Sequence, residues 1–488
     1  MIRNNLWISA AVLSGAAAAA CASPARPNVV LILADDLGYG DLGCYGATKL
    51  KTPNIDRLAQ DGMRFTEAHA PSSVCSPTRY SLLTGRYFWR NPFHPPRGTV
   101  TPDGPLVFQE PGVLTLPEMF RRHGYRTAAF GKWHLGFGAS ANSDGRYDWN
   151  RPEIKPGPLE SGFDYFYGIA ANVENHPKLY IENHGFAGRG PDDRIAVLPL
   201  DEKTPWKTRV IPWSEDVYFK EDEVADVTLR KAVDYIHSAA ADQPIFLYFA
   251  STVPHKPITP AKRFVGTSQC GIYGDFVQEL DWQVGELVDA LRKTGRLDNT
   301  LIVFTSDNGA VVAQNERFAK QWNMETMWEA YADGHRSNGE FREGTHSAYQ
   351  GGNRVPFIIR WPGRIPAGSQ SDTLFCLTDV MATCAALLDA GSTVESAKDS
   401  VNFLPVWLGE SSHPLREDAV SRTHEGIFSI RQGDWKLIEG DPSNPTQRVS
   451  ENSNQLYNVS ADPAETRNVW IDYPETAENL LSRLKKSR

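Results

Sequence analysis

Four short apolar runs, residues 28–33, 127–130, 245–250 and 301–304, each break off into a polar or charged loop. The first runs into Asp35 and Asp36 ahead of Gly38 and Gly40, and the second into Gly131, Lys132, Trp133 and His134. The third leads to Val253, Pro254, His255 and Lys256, and the fourth to Ser306, Asp307, Asn308 and Gly309. Short continuous apolar runs suit strands covered on both faces, as in a parallel sheet flanked by helices. Such sheets gather their sites at the carboxyl ends of the strands. One run ending in charge is ordinary, whereas four point to a common destination. Helical stretches at 116–123, 222–239 and 273–294 alternate with the runs, which predicts an α/β fold with a mixed or parallel sheet wrapped by helices.

The chemistry at those endings is coherent. Adjacent carboxylates such as Asp35 and Asp36 repel unless a cation sits between them. Asp307 and Asn308 add another acid and a carbonyl oxygen at an equivalent position. Oxygen donors from two strand ends favour calcium or magnesium over zinc. Lys132, His134 and His255 bring cationic or proton-carrying groups to the same edge. Group transfer that spreads negative charge over oxygens is accelerated by donors and cations fixed in that way.

Cys75, Ser76, Pro77, Thr78 and Arg79 stand ahead of Leu83, Thr84, Gly85 and Arg86. Alone, a cysteine beside proline reads as a small residue in a turn. Together with the strand-end set, and with Gly351, Gly352, Arg354, Val355, Pro356, Trp361, Pro362 and Gly363, this stretch resembles the type I, formylglycine-dependent sulfatases. The resemblance extends from residue 28 to about residue 390. It implies an alkaline-phosphatase-like mixed sheet flanked by helices. It also implies that a maturase converts Cys75 to formylglycine, whose hydrate attacks sulfur to give a covalent sulfate intermediate. By the same resemblance Asp35, Asp36, Asp307, Asn308 and the modified Cys75 hold Ca2+, or Mg2+ in its place. Arg79 holds the aldehyde hydrate, Lys132 and His255 bind sulfate oxygens, His255 assists the leaving alcohol, and His134 is the base that collapses the intermediate.

One departure concerns a second lysine common in the family, whose place is taken by Thr345, while Gln350 stands where glutamate is frequent. Arg342, His346 and Lys320 are the candidates to replace the missing cation. Residues 264–275 look similar to N-acetylgalactosamine-6-sulfatases and related bacterial polysaccharide sulfatases. The resemblance therefore implies a carbohydrate sulfatase acting on a galactose or N-acetylgalactosamine sulfate of a sulfated polysaccharide or glycosaminoglycan. A formylglycine-dependent phosphate or phosphonate ester hydrolase and an inactive glycan-binding homologue are the alternatives.

The 488 residues, 41% hydrophobic and 22% charged, suffice for a large core. A formal net charge of -9 argues against nucleic acid as a partner and requires any sulfated glycan to meet a local basic region. Arg3, the apolar residues 6–20 and the small residues Ala20, Cys21 and Ala22 read as an export signal over 1–22. Export places the mature chain in the periplasm or outside the cell, with lipid anchoring through Cys21 as an alternative. No later stretch approaches a membrane span. The catalytic unit is expected over 23–390, followed by a turn-rich linker at 391–418. A small antiparallel sheet at 426–431, 435–438 and 455–459, with a helix at 474–486, closes the chain. Residues 141–199 and 313–337 read as long irregular recognition loops. Within them Asn175, His176, Lys178, Asp333, His335 and Arg336 are candidate sugar contacts. Cys44, Cys270, Cys376 and Cys384 are left open between disulfides and buried thiols.

Overall fold

The computed structural model describes residues 26–93, 98–102, 104–138, 148–199, 208–391, 396–440 and 454–488. The signal at 1–22, with Arg3 and Cys21, lies outside them.

The four apolar runs are neighbours at the centre of a ten-stranded sheet, in the order Thr300–Ser306, Asn28–Ala34, Ile245–Ala250, Arg126–Lys132. All pair in parallel, and Tyr165–Ile169 continues the set. Their register matters most for the site. Thr305 pairs with Leu33, Leu33 with Ala250, and Ala250 with Gly131, so the four chains leave the sheet on one row. Phe357–Arg360 runs antiparallel beside Thr300–Ser306 and leads out through Met63–Phe65 to the edge strand Ser369–Ser371. The other edge is the hairpin Ile181–Glu182 and Gly185–Phe186.

Strand side chains alternate between two cores because the pleat has a period of two. Val29, Leu31 and Leu33 face a core shared with Leu82, Leu83, Met119, Phe120 and Val380, from the helices Cys75–Thr84, Leu116–Arg122 and Asp379–Leu387. Val30 and Ile32 face Ile55, Leu229, Tyr235, Leu280 and Leu287, from Pro53–Gln60, Val224–Ser238 and Gly271–Lys293. A second sheet, Ala419–Arg422, Phe428–Gln432, Trp435–Ile438 and Gln455–Asn458, is antiparallel throughout. The helix Pro474–Lys486 lays Ala477, Leu480 and Leu484 against its Ile430, Leu437 and Leu456. A large mixed sheet flanked by helices, with a small antiparallel sheet plus helix after it, is the expected fold class.

Three segments depart from the sequence reading. Residues 313–337 carry two short helices, Glu316–Trp322 and Glu325–Ala332, the first capped by the Asn315 side chain accepting from the Phe318 amide. Residues 141–199 supply the strand Tyr165–Ile169 and the edge hairpin, whose turn holds Asn183 at φ 53. The turn-rich stretch 391–418 contains the one-turn helix Leu404–Trp407, which places Trp407 in the core, and a strand begins directly after it at Ala419. Every described cysteine is a free thiol, so Cys44, Cys270, Cys376 and Cys384 form no disulfide with one another, and of these only Cys44 is not buried. No described helix is long and apolar enough to cross a membrane.

Candidate active site

The row on which the strands end fixes the site. Asp35 and Asp36 follow Ala34 immediately, and Asp36 adopts φ 59, a left-handed conformation that aspartate tolerates better than most residues. The turn is held by the Asp36 amide donating to Asp307 Oδ1 at 3.1 Å and the Leu37 amide donating to Ser306 Oγ at 2.9 Å. Thus Ser306 ties one carboxylate loop to the other. Cys75 begins the helix Cys75–Thr84 and is its only residue not fully buried. The helix N-terminus points unpaired amide groups and a partial positive charge at the space over Cys75, which favours an anion there. Gly85 ends the helix at φ 67, where an added Cβ would lie 2.8 Å from those of Met381 and Ala397. The Leu-Thr-Gly-Arg pattern is thereby a packing requirement behind Cys75.

Charges at the centre are interlocked and almost wholly buried. Lys132 Nζ donates to both oxygens of Asp35 at 2.8 Å. Arg79 donates to Asp307 Oδ2 through Nε at 3.0 Å and Nη2 at 2.7 Å, and through Nη1 to the Lys132 carbonyl at 3.1 Å. Burial opposes both cationic charges, but Asp35 and Asp307 outweigh it and hold Arg79 and Lys132 firmly protonated. Burial pushes the Cys75 thiol well up, with Asp307, Asp35 and Asp36 adding to the rise against Lys132, so an unmodified thiol here is a poor nucleophile. His134, at φ 56, has a buried Nδ1 without a partner. Burial first, then Lys132, Arg79 and His255, drive its pKa well below the ordinary value and leave a neutral imidazole able to accept a proton. His255 Nε2 lies 3.6 Å from Asp36 Oδ2, and its Nδ1 meets the Lys256 carbonyl at 2.5 Å.

The donor set fits a hard divalent cation. Donor atoms of Asp35, Asp36, Cys75 and His255 lie within 4.8 Å of one another. Asn308 Nδ2 donates to Asp36 Oδ1 at 2.5 Å, while Asn308 Oδ1 is buried without a hydrogen-bond partner, an acceptor oxygen oriented for a cation. With Asp307 alongside, oxygen outnumbers nitrogen and sulfur, so calcium or magnesium suits the set better than zinc.

The remaining expected contacts divide. Glu174 comes within 3.9 Å of His255 Nδ1, bringing the segment of Asn175 and His176 to the rim. Asn175 Oδ1 accepts from the Asn172 amide at 3.3 Å, and His176 Nδ1 is buried without a partner. His346 is exposed at φ 74, with its amide donating to the carbonyl of Ser73, two residues before Cys75. His335 is a correction: its Nε2 lies 2.7 Å from Asp41 Oδ1 in the interior. Tyr273 and the Gly38 amide occupy the other oxygen of Asp41, so His335 braces the Asp35–Asp36 turn from behind and does not reach a sugar. Arg342 is a second correction: its guanidinium covers the Tyr349 ring at 3.8 Å and donates to the Glu465 carbonyl, facing the C-terminal sheet. Lys320 is exposed on its helix and paired with Glu316 at 2.5 Å. Asp333 and Arg336 are exposed, the latter stacked on Tyr331, and Lys178 pairs with Glu221. Trp133 is buried against the Phe163 and Phe166 rings.

Thr345 donates to the Gly309 carbonyl at 2.5 Å, fixing the Asn308 loop in place of carrying a charge. Sequence reasoning missed Glu174, Ser306 and His424. The His424 ring, just beyond Ala419–Arg422, meets His346 edge to face at 5.6 Å, and its Nδ1 lies 3.0 Å from Thr99 Oγ1. No local signal marks His424, because only the packing of the second sheet on the first brings it to the rim.

The sulfatase family model matches residues 27–390, which contain the whole strand-end site but neither His424 nor Glu465. The chain belongs to the sulfatase family. It is 34% identical to the N-acetylgalactosamine-6-O-sulfatase of Bacteroides thetaiotaomicron, covering 94% of this chain and 93% of that protein. Arylsulfatase A of Homo sapiens is 32% identical, covering 97% and 89% respectively. A solved Bacteroides thetaiotaomicron structure, described with the metabolism of multiple glycosaminoglycans, superposes with a TM-score of 0.84 at 33% identity, covering 95% of this chain and 99% of that one. This sulfatase is therefore a sulfuric ester hydrolase with the alkaline-phosphatase-like architecture of its family.

Proposed function

We propose that the protein removes a sulfate ester from a galactose-type or N-acetylgalactosamine sugar, the 6-sulfate foremost, of a sulfated polysaccharide or glycosaminoglycan. The observation that carries this reading is the convergence of Lys132, Arg79 and His255 with Asp35, Asp36, Asp307 and Asn308 around the largely buried Cys75. The N-acetylgalactosamine-6-sulfatases among the relatives support the choice of sugar. Formylglycine made from Cys75 by a maturase would supply the nucleophilic hydroxyl that a buried, protonated thiol lacks. Asp35, Asp36, Asp307 and Asn308 would hold Ca2+, or Mg2+, whose charge acidifies that hydroxyl. Lys132 and His255 bind the sulfate oxygens, and their donors stabilise the charge that develops on them. Arg79 fixes Asp307 and the backbone at Lys132, so the cation site and the sulfate site keep their relative position. His134, neutral and with Nδ1 available, takes the proton released when sulfate leaves, and His255 serves the departing alcohol. Residues 23–390 form the catalytic unit and 391–488 the C-terminal one, with export directed by residues 1–22.

Sulfate release from N-acetylgalactosamine and galactose esterified at O6 or O4, with the corresponding phosphate esters alongside, tests this reading. Release from the O6 sulfates in preference to the O4 sulfates and the phosphates is expected. Faster turnover of the phosphate esters would instead make the enzyme a phosphate ester hydrolase.

A further inference from the structure

Away from the strand-end site, residues 150–154 and 184–194 enclose a cavity of about 530 Å3. That size lies within the range of pockets that hold organic ligands. Arg151, Arg189 and Arg194 line it, in a chain whose net charge is -9. Arg189 donates to the Trp149 and Asp193 carbonyls and to Asn150 Oδ1, and Arg194 to the Pro191 and Asp193 carbonyls. These are neutral acceptors, so they orient the two guanidinium groups without cancelling their charge. Asp193 and Asp148 attract Arg189 in part, although Asp193 Oδ2 also accepts from the Gly190 amide and Asp148 Oδ1 from the Asn150 amide, and Glu160 and Glu153 lie against His184 on the wall. Burial, and then Arg194, lower the pKa of Arg189, the mark of two like charges held close together.

The cavity is also placed for the reaction. Phe186, on its wall, registers through Ile181 and Gly168 with Gly131, the residue before Lys132. Three strand spacings separate them, about 14 Å along the sheet. The intervening floor is packed: Trp149 meets Phe137 at 6.1 Å and Phe186 at 5.7 Å, and Phe137 lies three residues beyond His134. That separation exceeds a single sugar and suits a chain of several. Resting on the sulfated-carbohydrate reading above, we propose that the Arg151, Arg189 and Arg194 cavity is an accessory site for sulfate or carboxylate groups farther along an anionic oligosaccharide whose reacting sugar occupies the Cys75 site. Guanidinium groups suit such oxyanions because their donors match two oxygens at once.

The test uses the full-length Cys75→Ala protein, which binds without turnover, and a fluorescent chondroitin 6-sulfate tetrasaccharide at low ionic strength. Reversing two of the lining charges with Arg151→Glu and Arg194→Glu should weaken binding about tenfold. A neutral tetrasaccharide, without sulfate or carboxylate, should show no difference between the two proteins. In the Cys75-containing enzyme the same substitutions should leave kcat and KM for N-acetylgalactosamine 6-sulfate unchanged. Equal affinity of both proteins for the sulfated tetrasaccharide, or no measurable binding by either, would overturn the accessory site. No monosaccharide turnover by the unsubstituted enzyme, together with a retained binding difference, would count against the sugar assignment alone.

Discussion

Lys132 illustrates how a single residue would tie the proposed cation site to the proposed sulfate site. It is buried, charged, and bonded to both oxygens of Asp35. Lys132→Ala is expected to lower kcat about 10²–10³-fold, the usual cost of removing one fixed donor from a developing oxyanion. Chelation by EDTA should abolish turnover, and Ca2+ or Mg2+ should restore it where Zn2+ does not, because the donors are oxygens. Restoration by Zn2+ alone would contradict the ligand assignment. At the rim, His346→Ala should raise KM roughly tenfold through one lost charge-assisted contact, whereas Lys320→Ala should change neither kinetic constant. The sequence marks Asp35, Asp36, Asp307 and Lys132 because each sits at the very end of a strand or just past it, so position along the chain is also position in space. His335 misleads for the opposite reason: a histidine in a polar stretch gives no sign that it folds inward onto Asp41.

Among the elements, the helix Gly271–Lys293 carries an acid on its packed face. Glu279 Oε2 accepts from the Ala261 amide at 2.9 Å while Oε1 has no hydrogen-bond partner, and burial raises the carboxyl to about 7. A carboxyl with a raised folded-state pKa contributes stability that is present below its unfolded value near 4.3 and lost as pH rises through about 7. Glu279→Gln is therefore expected to raise Tm at pH 8 and not at pH 5, by thermal unfolding at both. An equal effect at the two pH values would contradict the assignment. Glu67 and His69 run the other way. Burial, with Arg354 and Arg431, lowers His69 to about 4, and the His69 hydrogen bond and Arg354 overcome burial to hold Glu67 at about 2. Stability from His69 should fall as pH drops from its unfolded value near 6.5 toward 4, and from Glu67 as pH drops further toward 2. The central strands and long helices are legible because their apolar runs and 3.6-residue patterns are long. Glu316–Trp322, Glu325–Ala332 and Leu404–Trp407 are too short for a period to emerge from polar surroundings, and tertiary packing decides them.

Across the whole molecule, the C-terminal sheet acts on the site through a buried ion pair. Lys436 Nζ lies 2.9 Å from Glu465 Oε1, and Glu465 Oε2 accepts from the Gln350 amide at 2.5 Å. The Gln350 side chain donates in turn to the Pro463 carbonyl. Residues 462–465 thereby pin the stretch containing Thr345 and His346 against the large sheet. Glu465→Gln should cost about 3–5 kcal/mol in urea unfolding, because it leaves the Lys436 charge buried and unpaired. A loss below about 1 kcal/mol would place that pair in solvent. The sequence indicates that a second sheet exists but not that it supplies His424 and Glu465, since contacts between distant segments leave no local pattern. The central claim, a Cys75-centred sulfatase site, is tested most directly by sulfate release from N-acetylgalactosamine 6-sulfate. The assay compares protein made with and without a maturase, with the mass of the Cys75 peptide determined on the same samples. The account predicts release in proportion to the fraction of Cys75 converted and none from the thiol form. Equal release from the unconverted thiol, or silence from fully converted enzyme on every sulfate ester offered, would contradict it.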